Sequence, residues 1–160
     1  MIKKNREFIK IIPMLLAHFS LGDPAIEIVY HPVNLGNAEL GKLARAGLAA
    51  SREVEVEEIL QALGTPQEFK ERGRLEEEKI KKIFSYKNKK SIYKYMDTIN
   101  VDIDDKEMII YPSHQDSLDG FTGISKNKQR LKFSYPLDIT DEELGKAIYE
   151  AFTHCTSIYR

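Results

Sequence analysis

The chain has 160 residues, a length that suits one domain of roughly 100–200 residues and a sizeable core. Hydrophobic residues make up 42% and charged residues 31%, against a typical charged share of about 25%, which excludes a disordered chain and a membrane-embedded one. A net charge of −1 excludes a whole-molecule attraction to nucleic acid or anionic lipid, and the lone Cys155 excludes an intramolecular disulfide. One domain spanning residues 1–160, in the cytoplasm, is the expectation.

In chain order, the apolar run from Phe8 to Phe19 behind Lys3, Lys4 and Arg6 superficially resembles a signal peptide. Glu7 at its front, Lys10 and Pro13 within it and His18 near its end argue against that reading. At 12 residues it also falls short of the roughly 20 a spanning helix needs. It is read as a buried edge of the core. An extended segment from Ile26 to Tyr30 follows, closed by Pro32. Leu40, Leu43, Ala44, Gly47 and Leu48 then recur at helical spacing, with Gly36 as N-cap. Val56, Ile59, Leu60 and Leu63 predict a short helix stopped by Gly64. Thr65, Pro66 and Glu68 form a capping box with Pro at N1. Leu75, Ile80, Ile83 and Phe84 predict a charged helix after Gly73.

From Ser91 the period changes to two. Tyr93, Tyr95, Ile99, Val101 and Ile103 share one parity, and Asp104-Asp105 reads as a turn into a strand from Met108 to Tyr111. A short strand from Phe121 to Ile124, a turn at residues 125–128 and an alternating Leu131, Phe133, Tyr135 follow. The last helix begins at a capping box of Thr140 and Glu143.

A repeat at a constant offset of 104 links the two ends of the chain. His31-Pro32-Val33-Asn34-Leu35-Gly36-Asn37-Ala38-Glu39-Leu40-Gly41-Lys42 matches Tyr135-Pro136-Leu137-Asp138-Ile139-Thr140-Asp141-Glu142-Glu143-Leu144-Gly145-Lys146. The apolar face stays in step, with Ala147, Ile148, Ala151 and Phe152 completing the second copy. Gly41 and Gly145 lie inside first turns, where Gly costs about 1 kcal/mol relative to Ala. Finding it twice predicts a backbone that must approach its neighbour closely, so the repeat is read as two core-packing units rather than two ligand loops. The fold class is α+β: an antiparallel sheet of about five strands, helices packed mainly on one side, and two related strand–helix units.

Catalytic groups are few. His18, His31, His114 and His154 have no nucleophile at a recognised spacing, and adjacent His154 and Cys155 point about 100° apart on a helix. Cys155 extends an apolar face and is read as packing. Asp102, Asp104 and Asp105 lack the Gly and distal Glu of a calcium loop, so no metal and no cofactor is expected. There is no phosphate-binding Gly-rich loop. The chain is read as a non-enzyme.

Charge is segregated along the sequence. Seven lysines and no acid lie from Lys79 to Lys94, and seven acids against Lys106 alone lie from Asp97 to Asp119. Glu53, Glu55, Glu57 and Glu58 form a second acidic run. The acidic hairpin at Asp102, Asp104 and Asp105, with His114, Asp116 and Asp119 in the following loop, is the candidate surface for a basic protein partner. The alternative is a small RNA-binding module in which the basic stretch works with Phe84, Tyr86, Tyr93 and Tyr95; it is the weaker reading, because Ile80, Ile83 and Phe84 fit a helix face and the tyrosines a sheet, so direct nucleic-acid binding is not expected.

Residues 133–152, from Phe133-Ser134-Tyr135-Pro136 through Asp141-Glu142-Glu143-Leu144-Gly145 to the Ala-containing helix, resemble the C-terminal part of the immunity proteins of contact-dependent growth inhibition, the CdiI family. The upstream copy through Leu48-Ala49-Ala50-Ser51-Arg52 resembles that family's central element. The resemblance implies a cytosolic bacterial protein, with no catalytic motif, that binds and neutralises the C-terminal toxin domain of a cognate effector. It implies a nuclease toxin, with an RNase as the first expectation, a basic protein partner and no membrane partner.

Overall fold

The computed structural model describes all 160 residues, apart from the side chain of Lys126. The first half contains β1 (Ile2–Lys4), β2 (Phe8–Ile11), β3 (Met14–Leu16), β4 (Ser20–Gly22), β5 (Tyr30–Pro32), α1 (Asn37–Ala50), β6 (Arg52–Glu53), α2 (Val56–Leu63) and α3 (Pro66–Phe84). The second half contains α4 (Lys89–Tyr93), β7 (Asp97–Ile103), β8 (Glu107–Gln115), β9 (Phe121–Gly123), β10 (Ser125–Lys126), β11 (Gln129–Arg130), β12 (Phe133–Pro136), α5 (Asp141–Thr153) and β13 (Thr156–Ser157).

The main sheet runs β12-β8-β7-β1-β2-β5, and every pairing along that path is antiparallel. The far end of β8 is flanked instead by β9 and, in parallel, by β13. The α+β class holds. The path has six strands where about five were expected, because the N-terminal apolar run supplies β1 and β2 to the middle of the sheet.

The two copies of the repeat supply β5 and β12, which form opposite edges of that path. Their helices, α1 and α5, then meet across one face. A Cβ on Gly41 would overlap the carbonyl of Asp141 and lie 2.7 Å from its carbon; one on Gly145 would overlap the carbonyl of Asn37 and lie 2.5 Å from its carbon. Asn37 and Asp141 are themselves equivalent positions of the repeat, so each glycine admits the other helix's first turn. Arg45 reaches Asp141 at 2.7 Å, and the Tyr149 hydroxyl donates to the Leu35 carbonyl at 2.9 Å. The core beneath holds Ile2, Ile9, Leu40, Ile99, Met108, Ile110, Leu144 and Ile148.

Helices cover both faces, more evenly than expected. Strand alternation turns Phe8 away from Ile9, and Phe8 packs with Ile80 of α3 and with Ile92, Tyr93 and Met96 around α4. Lys10, only 3% exposed, lies on the same face and pairs with Glu76 at 2.5 Å.

Three local expectations change. Ser91 to Tyr93 is helix, not strand. The Asn88 side chain accepts from the Ser91 N–H at 2.9 Å while the Ser91 hydroxyl accepts from the Asn88 N–H, a capping box that starts α4 and delays β7 to Asp97. The two helices expected around Gly73 are one, since a single exposed helical Gly costs only about 1 kcal/mol and α3 carries its own capping box at Thr65 and Glu68. The segment Ile26 to Tyr30 pairs as a strand only at its end, where β5 begins. By contrast the turn expected at residues 125–128 is a two-residue hairpin, with positive φ at both Asn127 and Lys128.

Candidate functional site

A cleft of about 580 Å³ opens at the end of the sheet where β7 finishes. One wall is the hairpin β3–β4 with its tip Ala17-His18-Phe19, and the other is Asn100 to Ile103 of β7 with Arg130 beside it. Leu48 of α1, its C-cap Ser51, and Met1 and Met14 add to the lining. The wall is held firmly: the Ser51 hydroxyl accepts from the Met14 N–H at 3.0 Å and donates to the Gly47 carbonyl at 2.9 Å. Arg52 reaches Asp23 at 3.3 Å and Glu58 at 3.0 Å, which anchors β6 and the end of β4. On the opposite side Arg130 lies over the Tyr111 ring, 4.1 Å from its centroid.

The cleft leaves large apolar side chains in water. Leu16 is 38% exposed, Phe19 45% and Ile103 53%. Acids surround them: Glu53 and Asp102 within the lining, and Asp104 and Asp105 at the adjoining hairpin tip. Loss of surrounding water raises the Asp102 carboxyl above its usual range, partly opposed by Arg130 and the terminal ammonium. Asp104 is held below its usual range because its carboxylate accepts the N–H groups of Lys106 at 2.8 Å and Glu107 at 2.9 Å. This geometry is suited to binding: apolar anchors inside, fixed negative charge at the rim.

The six residues singled out from sequence do not form one surface. Asp102, Asp104 and Asp105 share the cleft end. His114, Asp116 and Asp119 lie at or beyond the other end of β8, about 30 Å away along the strand. Asp119 is paired with Lys89 at 2.6 Å, which pulls its carboxyl down, and His114 Nδ1 lies 2.8 Å from the Thr156 hydroxyl and helps seat β13. Asp116 is exposed in the loop. Sequence reasoning missed Leu16, Phe19, Glu53 and Arg130. The first two sit in a run that reads as continuous core, and only His18 and Ser20 beside Phe19 marked a solvent-facing turn.

Cys155 is half-buried, and burial pushes its thiol up to about 11, as suits a packed rather than reactive side chain. Among the described residues no group of three or more His, Cys, Asp and Glu side chains is placed to hold a metal. Among the described residues no helix is long and apolar enough to cross a membrane.

Two solved structures share the fold. One is a protein of unknown function from Neisseria meningitidis, 21% identical, with a TM-score of 0.81 over 96% of this chain and 92% of that one. The other is a chain of the CdiA-CT/CdiI toxin and immunity complex from Yersinia pseudotuberculosis, 17% identical, with a TM-score of 0.83 over 97% of this chain and 95% of that one. No curated protein matches significantly. The family described as CdiI, CDI immunity protein, matches over residues 1–155, nearly the whole chain and well beyond the two stretches that carry the resemblance in sequence. The chain belongs to the CDI immunity protein family.

Proposed function

We propose that this protein neutralises a cognate toxin domain by binding it on the cleft face, and that the toxin is a basic nuclease. The reading is carried by one observation: Leu16, Phe19 and Ile103 stand exposed inside a rim of Glu53, Asp102, Asp104 and Asp105. Exposed aromatic and aliphatic side chains in a concave setting supply desolvated anchors, and the acids around them steer a basic partner and fix its register. A cationic nucleic-acid-binding surface is what a nuclease needs to hold its substrate, so covering that surface removes activity without any chemistry on the part of the immunity protein. An interface of about 1,600 Å² would extend beyond the cleft onto the β7–β8 hairpin, and nanomolar affinity corresponds to about −12 kcal/mol.

The test is co-expression with the toxin domain encoded in the same locus, scored by complex formation, growth rescue, and RNA and DNA cleavage by the purified toxin. Replacing Asp102, Asp104 and Asp105 together by Lys is expected to slow association and weaken protection. Phe19→Ala and Ile103→Ala are expected to speed dissociation by about tenfold or more each. Asp116→Lys, at the remote end, serves as the comparison and is expected to protect normally. Loss of protection in Asp116→Lys with full protection by the cleft variants would move the interface to the other end of β8. Absence of any complex would refute toxin binding.

A further inference from the structure

A second concave site lies at the opposite end of the strands that line the cleft. Its walls are Asn5, Arg6 and Glu7 from the β1–β2 turn, with Tyr86, Ser91, Ile92, Lys94 and Tyr95 around α4, enclosing about 320 Å³. Buried Asn5 braces it: its Oδ1 accepts from the N–H groups of Glu7 at 2.9 Å and Phe8 at 3.0 Å, and its Nδ2 donates to the Ile92 carbonyl at 3.2 Å. Arg6 lies over the Tyr95 ring, its guanidinium carbon 3.4 Å from the centroid, and Lys94 approaches the same ring at 5.0 Å. The two cations lower the Tyr95 hydroxyl below its usual range.

The lysines of this region separate into two groups. Lys79 is paired with Glu27, and Lys89 with Glu77 and Asp119. Among the described residues Arg6, Lys87, Lys90 and Lys94 have no carboxylate in an ion pair, and all four are at the site or next to a residue that lines it; Lys81 and Lys82 are likewise without an ion pair but lie away from the lining on α3. Glu7 is the one acid in the lining. A guanidinium stacked on a tyrosine keeps its N–H edge for a phosphate and offers its outer face to a planar ring. Tyr86 adds an aromatic wall, with the buried Ile92 behind it. Stacking surface and unpaired cations in one braced hollow are the elements that hold single-stranded nucleic acid without reading its sequence.

We propose that this hollow is a binding site for single-stranded nucleic acid, with a base against Arg6, Tyr86 and Tyr95 and the flanking phosphates on Lys94, Lys87 and Lys90. The site is about 20 Å from the cleft along β7 and does not depend on the toxin reading.

The test is fluorescence anisotropy of a short labelled oligouridine and an oligothymidine with the intact protein, from about 50 to about 200 mM salt. Saturable binding is expected to weaken about tenfold in Arg6→Ala and in Tyr95→Ala. Lys94→Ala is expected to reduce the slope of log affinity against log salt by about 0.7. Lys70→Ala, on an exposed part of α3 away from the site, is expected to leave affinity unchanged; Arg6 is itself exposed, so its replacement spares the fold. No saturable binding at low salt overturns the proposal. So does equal weakening by Lys70→Ala, which would mean a diffuse charge effect. Inorganic phosphate that competes at the oligonucleotide's own affinity also overturns it, leaving an anion site without a base.

Discussion

Replacing Gly145 by Ala isolates what the repeat contributes to the fold. On helix propensity alone the change stabilises by about 1 kcal/mol. Against that, the new methyl would overlap the Asn37 carbonyl oxygen and stand 2.5 Å from its carbon and 2.8 Å from its Cα. These are backbone atoms of the facing helix, which cannot swing aside, so α1 and α5 must separate. Overpacking of this kind costs about 1–3 kcal/mol, and a backbone obstacle puts it at the upper end. The net expectation is a loss of about 2 kcal/mol, which for a chain of this size lowers Tm by about 4–8 °C. Gly73→Ala is the matched comparison: it lies inside α3, exposed, with nothing within 4 Å of the added methyl. It should gain up to about 1 kcal/mol. Urea unfolding followed by far-UV circular dichroism gives both values on one scale. Gly41→Ala repeats the clash on the other side, 2.7 Å from the Asp141 carbonyl carbon. Once the helices have moved apart for one methyl the second meets less resistance, so the double variant should lose less than the sum of the singles. If Gly145→Ala proved as stable as the parent, or Gly41 and Gly145 both behaved like Gly73, the close-approach argument would fail.

Three further outcomes are expected. Glu76→Ala leaves the buried Lys10 ammonium without its carboxylate and should cost about 3 kcal/mol, while Lys10→Met removes the charge, keeps the volume and should lie within about 1 kcal/mol of the parent; denaturant melts of the two separate the cases. Lys3 lies across from Lys10 in the sheet, and burial together with that like charge pushes its ammonium down to about 8 from 10.5. The unfolded chain therefore holds more protons between those values, so this contribution to stability is present above pH 10.5 and is lost as pH falls to about 8. The stability of the parent relative to Lys3→Met should therefore rise with pH across that window, the variant's advantage at lower pH fading by somewhat less than about 1.4 kcal/mol per unit because Lys3 keeps part of its side chain in water; a pH-independent difference would contradict it. Thr140→Ala removes the hydroxyl that accepts the Glu143 N–H at 3.2 Å and should cost about 1 kcal/mol, whereas Thr140→Ser should restore most of it, as measured by thermal unfolding.

Much of this architecture is legible in the sequence because it is written in local chemistry. The capping boxes at Thr65 and Thr140, the stop at Gly64 with its positive φ, the hairpin turn at Asn127-Lys128 and the i, i+3, i+4 stripes of α1 and α5 are all decided within a few neighbouring residues. The repeat carried a long-range statement as well: paired glycines at equal positions required two backbones in contact, and α1 and α5 supply them. The misreadings have a common cause. Tyr93 and Tyr95 fit a period of two as well as a helical turn, and the Asn88–Ser91 capping box together with burial of Ile92, Tyr93 and Met96 against Phe8 decides between them. The functional surfaces were the least legible part. An apolar side chain reads as core wherever it stands in the sequence, so the exposure of Leu16, Phe19 and Ile103 emerges only when β3, β4 and β7 are placed around one cleft. Likewise a run of seven lysines says nothing of which have partners until Glu27, Glu77 and Asp119 fold back onto Lys79 and Lys89. The sequence by itself determined the class, the elements and the kinship of the two ends, because short-range sterics and hydrogen bonding set those. Tertiary structure alone decided which charges are neutralised and which apolar groups remain in water, because both depend on neighbours far away along the chain.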